Sequence, residues 1–71
     1  MIERDVKIRG EMIRLGQLLK LAGLIDAGGR AAAFLATTPV LVNGEPEQRR
    51  GRQLHAGDAV QIGDEQLRVV T

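Results

Sequence analysis

No cysteine occurs in these 71 residues, and this constrains the fold more than any residue that is present. A chain of this size buries only about 60% of the surface that its unfolded form exposes. Disulfides or a thiolate-bound metal could offset that shortfall, but neither is open here. The single histidine, His55, has no clustered partners with which to build a zinc site. Stability must therefore come from packing. Apolar side chains make up 44% of the residues, enough for one compact core. The expectation is one domain over residues 1–71 with no internal linker.

The hydrophobic spacing orders the elements. Val6-Lys7-Ile8-Arg9 alternates apolar and basic residues and predicts a half-buried strand that Gly10 ends. Leu15, Leu18, Leu19 and Ala22 recur at helical spacing, while Arg14, Gln17 and Lys20 stay off that stripe. With Gly23 at the expected C-terminal cap, a helix runs from about Arg14 to Ala22. No Ser, Thr, Asp or Asn precedes it, so its start is weakly capped. Asp26 is the expected N-cap of a second helix over Ala27 to Leu35, joined to the first by about three residues. The Gly28-Gly29 pair costs that helix up to about 2 kcal/mol relative to alanine. It is tolerable where helices pack closely or a phosphate comes near, and close packing is the stronger of those reasons. Pro39 stops the helix.

Beyond Pro39 the pattern turns to strands. Val40-Leu41-Val42, Asn43-Gly44 and Glu45-Pro46-Glu47 predict a hairpin with a type I′ turn, and Pro46 makes the return strand an edge. After the Ala56-Gly57-Asp58 turn, Ala59-Val60-Gln61-Ile62 and Gln66-Leu67-Arg68-Val69-Val70 pair around Gly63-Asp64. The fold class is α+β, a two-helix hairpin packed on a small, mainly antiparallel sheet.

The net charge is only +1, but it is unevenly spread. From Arg14 to Arg52, six basic residues face three acidic ones; the remainder has four basic and six acidic. Arg49, Arg50 and Arg52 form the sharpest feature, in a segment that the strand pattern leaves exposed. Guanidinium groups carry permanent charge and a planar fork of donors that matches phosphate oxygens. Three together without nearby compensation repel one another, and a polyanion relieves that. The competing reading is a solvated charged loop paired with Glu45 and Glu47, and anion binding stands only slightly ahead of it.

Phe34 is the one aromatic residue and falls on an apolar helix face, which excludes extensive stacking on single-stranded bases. Folded or double-stranded RNA, held by phosphates and 2′-hydroxyls, suits such a surface better. There is no long recognition helix for a DNA major groove. His55 stands outside any nucleophile arrangement, and Asp58 and Asp64 read as turn residues. The expectation is a non-enzymatic protein with no catalytic residue, metal, cofactor or small-molecule substrate. Met1 to Gly10 contains no apolar run, and no later stretch is long enough to span a bilayer. A cytoplasmic location, with no membrane partner, is expected.

Arg14-Leu15-Gly16-Gln17-Leu18-Leu19-Lys20-Leu21-Ala22-Gly23-Leu24, Gly28-Gly29-Arg30-Ala31, Val40-Leu41-Val42-Asn43-Gly44-Glu45, and Arg49-Arg50-Gly51-Arg52-Gln53-Leu54 with Gly57-Asp58 resemble the ribosomal protein S4-like RNA-binding domain (alpha-L motif). The likeness extends to its small stand-alone bacterial members of the YaaA and YbcJ type and covers nearly the whole chain. It implies two helices on a small sheet with a basic face for folded RNA, commonly ribosomal RNA, and a role in ribosome assembly or translation. Carried over by position, that face uses Arg14 and Lys20 from the first helix and Arg30 from the second. It adds Asn43 at the hairpin turn and Gln48, Arg49, Arg50, Arg52 and Gln53 after it. Two departures stand out: Ala32 occupies a position where relatives tend to carry lysine or arginine, and Ala27 replaces the usual serine. Larger relatives join this domain to catalytic ones such as pseudouridine synthases and tyrosyl-tRNA synthetases.

Two rivals belong to other classes. A ubiquitin-like sulfur carrier shares the outline of Val40 to Glu45 and Ala56 to Ile62, but its chemistry needs a C-terminal Gly-Gly where this sequence has Val69-Val70-Thr71. A protein-interaction module docking through its basic surface is the other. On the RNA reading, Arg49, Arg50 and Arg52 are expected to be exposed, so that changing all three to alanine weakens binding and leaves the fold intact.

Overall fold

The structure, a computed structural model, describes residues 1–26 and 28–71. Strand β1 (Ile2–Lys7) leads to the short strand β2 (Ile13–Arg14) and helix α1 (Leu15–Leu21). A 3₁₀ turn at Gly28–Arg30 runs straight into helix α2 (Ala31–Thr37). Strands β3 (Val40–Val42), β4 (Glu45–Pro46), β5 (Gln53–Leu54), β6 (Ala59–Ile62) and β7 (Glu65–Val70) complete the order. A five-stranded sheet is arranged β1-β7-β6-β3-β4, and β2 pairs separately with β5. This is the expected α+β architecture. Within the larger sheet β1 and β7 run parallel, so it is mixed, though mainly antiparallel.

The apolar positions explain the packing. Leu15, Leu18 and Leu19 of α1 and Leu35 of α2 are buried in one cluster with Val42, Val60, Leu67 and Val69 of the larger sheet and Leu54 of β5. Phe34 packs at the margin of this cluster, the core role expected of it. Helix α1 ends where Gly23 predicts. Gly23 takes φ +81, its N–H bonds to the Lys20 carbonyl, and the Leu24 N–H bonds to the Leu19 carbonyl. These two bonds form a Schellman cap. Arg4 adds a guanidinium bond of 2.7 Å to the Ala22 carbonyl.

The turns behave as their residues require. Asn43 and Gly44 have φ of 51 and 86, as a type I′ hairpin demands, and β4 with Pro46 lies at the sheet edge. Three details differ from expectation. Strand β1 begins at Ile2 rather than Val6; it follows β7 from Ile2↔Glu65 onward, while burial starts only at Val6. The second helix starts at Ala31, because the flexible glycine pair forms a 3₁₀ turn instead of an α-turn, and it extends to Thr37. The connection between the helices is correspondingly longer than three residues. The expected helical start at Ala27 lies outside the described residues. Thr38, before Pro39, is extended with φ −122 and ψ 122, the conformation that a following proline imposes.

Candidate nucleic-acid interface

The basic segment is stitched to the start of α1. Strand β5 pairs antiparallel with β2, setting Gln53 opposite Arg14 and Leu54 opposite Ile13. The Leu15 N–H then bonds to the Arg52 carbonyl at 2.9 Å, and the Gly16 N–H to the Arg50 carbonyl at 2.9 Å. First-turn amides of a helix have no partner within it, and here the arginine-bearing backbone supplies the acceptors. The Arg14 N–H bonds to Gln17 Oε1 at 3.2 Å. A helix start that looks poorly capped in sequence is capped by residues nearly forty positions away.

Gly16 makes this approach possible. A β-carbon there would lie 3.1 Å from Ala31 Cβ and 3.4 Å from Arg50 Cβ, so α1, α2 and the basic segment meet at one point. A β-carbon on Gly51 would lie 3.8 Å from Arg14 Nη1, which places the Arg14 guanidinium over that glycine. Arg14, Arg50, Arg52 and Gln53 are thus gathered around the first turn of α1. Lys20 is exposed one helical turn beyond Gly16, and Arg30 immediately precedes Ala31.

The arginines differ in how they are held. Glu47 is 8% exposed and lies within the basic segment. Its Oε2 accepts from Arg49 Nε at 3.0 Å and from the backbone N–H groups of Gln48 (3.1 Å) and Arg49 (3.0 Å). Its Oε1 accepts from Arg49 Nη2 and Arg52 Nη1, both at 3.0 Å. The Arg49 guanidinium above all, then the Arg49 amide, with a further bond from Arg52, hold the Glu47 carboxyl at about 2 against the opposing effect of burial. The expectation of three uncompensated arginines is therefore corrected: Glu47 compensates two of them. The expectation that all three are exposed is corrected with it: the Arg52 side chain is half-buried, and changing all three to alanine would leave a buried carboxylate without its guanidinium partners. Among the described residues, Arg50, Arg14 and Lys20 have no ion pair, while Arg30 Nε pairs with the exposed Asp26 carboxylate at 3.1 Å.

Asn43 is committed elsewhere. Its Nδ2 donates to Asp58 Oδ1 at 3.1 Å and its Oδ1 accepts from the Ala59 N–H at 2.9 Å. Asp58 Oδ2 accepts from the His55 N–H at 2.7 Å, the turn role expected of it. Burial acts to raise the Asp58 carboxyl, but the bonds from His55 and Asn43 and the nearby charges of His55 and Arg52 hold it below its ordinary range. Gln48 and Gln53 present exposed side chains on either side of the arginines. Arg49, Gly51, Arg52, Gln53 and His55 line one open groove.

Sequence reasoning missed Gly16 as the meeting point and His55 as part of this groove, and it treated Glu47 only as one possible partner. Gly16 left one signal, a glycine within an otherwise good helix. The assembled surface offers fixed positive charge and hydrogen-bond donors. Among the described residues no three His, Asp or Glu side chains gather as a metal site requires, and no helix is long and apolar enough to cross a membrane.

Comparison with known proteins adds two findings. The S4 domain family profile matches residues 6–70. A Bacillus subtilis (strain 168) protein named "Probable ribosome maturation protein RlbA" is 56% identical over 57 residues, which is 80% of each chain.

Proposed function

The chain belongs to the S4 domain family, and we propose that it binds structured RNA, ribosomal RNA in particular, as a non-enzymatic factor in ribosome maturation in the cytoplasm. Residues 1–71 act in this reading as one S4-like domain. The observation that carries it is the stitching of the basic segment onto α1, which sets Arg14 beside the backbone of Arg50 and Gly51, where among the described residues neither arginine pairs with a carboxylate. Arg49, Arg52 and Gln53 extend this surface, Lys20 and Arg30 flank it, Gln48 is an outlying contact, and Asn43 is left only the second N–H of its amide for RNA. The name of the Bacillus relative supports the ribosomal context.

The chemistry favours phosphates over bases. Forked guanidinium donors match phosphate oxygens, and with Phe34 in the core margin no aromatic platform is left for stacking. An A-form helix exposes phosphates and 2′-hydroxyls along a shallow groove, which an open basic surface can follow.

Binding of folded ribosomal RNA fragments, titrated over several salt concentrations, tests the proposal. Arg14→Ala and Arg50→Ala each retain the β-carbon and break no ion pair seen among the described residues, so loss of affinity in them reports contact rather than unfolding. By analogy with duplex DNA, each phosphate contact steepens the log–log salt slope by roughly 0.9. A flat salt dependence, or no RNA recovered by crosslinking in cells, overturns the reading.

A further inference from the structure

A buried acid in the middle of an RNA-binding segment has no place in simple charge matching. A carboxylate that close to the bound phosphates should repel them, and charged residues are seldom buried unless paired. Glu47 is nonetheless among the least exposed residues of its segment. Its backbone N–H bonds to the Val40 carbonyl of β3 at 2.9 Å, which ties it to the sheet just beyond the edge strand β4.

Two roles fit such a residue. It could compete with phosphate for Arg49 and Arg52, or it could aim them. The geometry separates these. The Glu47 side chain is 7% exposed, whereas the side chains that it holds are 75% (Arg49) and 33% (Arg52) exposed. The arginine side chains thus reach solvent, Arg49 more than Arg52, while their anchor stays inside. Arg49 uses Nε and Nη2 on Glu47, and Arg52 uses Nη1. Each guanidinium has five N–H donors in a fixed fork, so both retain donors that point elsewhere. The same two side chains line the open groove with Gly51, Gln53 and His55. A long side chain already fixed in one geometry loses less freedom when it meets a ligand.

We propose that Glu47 is a positioning residue for RNA: it orients Arg49 and Arg52 into the groove before RNA arrives, so that removing its negative charge weakens binding. This rests on the RNA-binding reading above and gives that surface an internal organiser. Charge alone predicts the opposite sign, and that opposition makes the inference decidable.

The experiment compares the wild-type full chain with Glu47→Gln for a folded ribosomal RNA fragment across a salt series, with circular dichroism confirming that both are folded. The expected result is affinity about tenfold weaker, within the range of coupling between contacting residues, and a shallower salt slope as Arg49 and Arg52 lose their aim. In an Arg49→Ala/Arg52→Ala background whose fold circular dichroism confirms, Glu47→Gln has no further effect on affinity, and a further loss there overturns the inference. Equal or tighter binding by Glu47→Gln overturns the inference, as does an unchanged salt slope. Should Glu47→Gln not fold, the wild type decides through the side-chain Nε–H resonances of Arg49 and Arg52. Both are expected to be ordered in the free chain, and the bonds to Glu47, from Arg49 Nε and from Arg52 Nη1, to persist in the complex. Averaging with solvent in the free chain, or release from Glu47 on binding, overturns the proposal. Failure of the RNA reading looks different: the wild type then shows no salt-dependent RNA binding at all.

Discussion

Glu47 and Asp26 each hold an arginine at about the same distance, 3.0 and 3.1 Å, yet they sit in opposite surroundings. The Glu47 side chain is 7% exposed, is approached by two guanidinium groups, and is tied to two backbone amides. The Asp26 side chain is 78% exposed, and its partner Arg30, four residues on, is 72% exposed. An ion pair in water gains little, because solvent screens it and two side chains lose freedom to form it. A carboxylate withdrawn from water depends on its partners for every bond that it makes. One chemistry therefore serves two ends: around Glu47 it builds the segment, and around Asp26 it decorates the surface.

The comparison breaks most easily at Glu47. Glu47→Ala removes an acceptor of five hydrogen bonds, while the freed guanidinium and amide groups can turn to water. The expected loss is about 2 kcal/mol, in the range for hydrogen bonds to charged groups. For a domain of this size that lowers the melting temperature by roughly 8–16 °C in a thermal scan. Acid probes the same bonds in the wild type. Because folding lowers the Glu47 carboxyl from 4.5 to about 2, the unfolded chain binds a proton between those values that the folded chain refuses. The stabilisation is complete above about pH 5 and is lost as pH falls toward 2. Glu47→Gln should flatten that limb, leaving the smaller contribution of Asp58, which is shifted in the same direction. A Glu47→Gln profile as steep as the wild type would show that the carboxylate is not bonded as described.

A smaller effect is expected where the segment meets the helices. Alanine in place of a helical glycine ordinarily stabilises by up to about 1 kcal/mol. At Gly16 the new β-carbon would stand 3.1 Å from that of Ala31, a buried residue whose β-carbon moves only with its backbone. Overpacking of this kind costs about 1–3 kcal/mol, so Gly16→Ala should destabilise by about 1 kcal/mol in chemical denaturation. Any gain in stability would mean that the helices can part without cost.

What was legible in the sequence follows the same division. Asn43-Gly44 announces its turn because the backbone there needs positive φ, and the stripe of Leu15, Leu18 and Leu19 announces its helix because periodicity is local. The burial of Glu47 is not local. It depends on Arg49 and Arg52 folding back over it, and an acid two and five residues before two arginines has no period to reveal that. The cap of α1 was hidden for another reason: its acceptors are the backbone carbonyls of Arg50 and Arg52, which any residue type carries. The parallel pairing of β1 with β7 joins the two ends of the chain, and Ile2 to Asp5 show no burial pattern from which to read it. The basic residues themselves were plain to see, while the way they are held came only with the fold.

The finest test sets the exposed pair against the buried one. Arg30→Ala should change stability by less than about 0.5 kcal/mol, since neither partner is withdrawn from water. It should still cost RNA affinity, because Ala32 offers no second charge on that helix. Unchanged affinity would remove α2 from the binding surface. Asp26→Ala carries the sharper information. It frees a guanidinium that was only loosely held and deletes a negative charge beside it, so binding should tighten slightly, by less than about threefold at low salt. Glu47→Gln also deletes a negative charge next to arginines, and its expected effect has the reverse sign. If both substitutions tighten binding, charge counting explains the surface and the burial of Glu47 has no bearing on recognition. If they diverge, an acid placed inside the segment strengthens the grip on a polyanion by holding its arginines still.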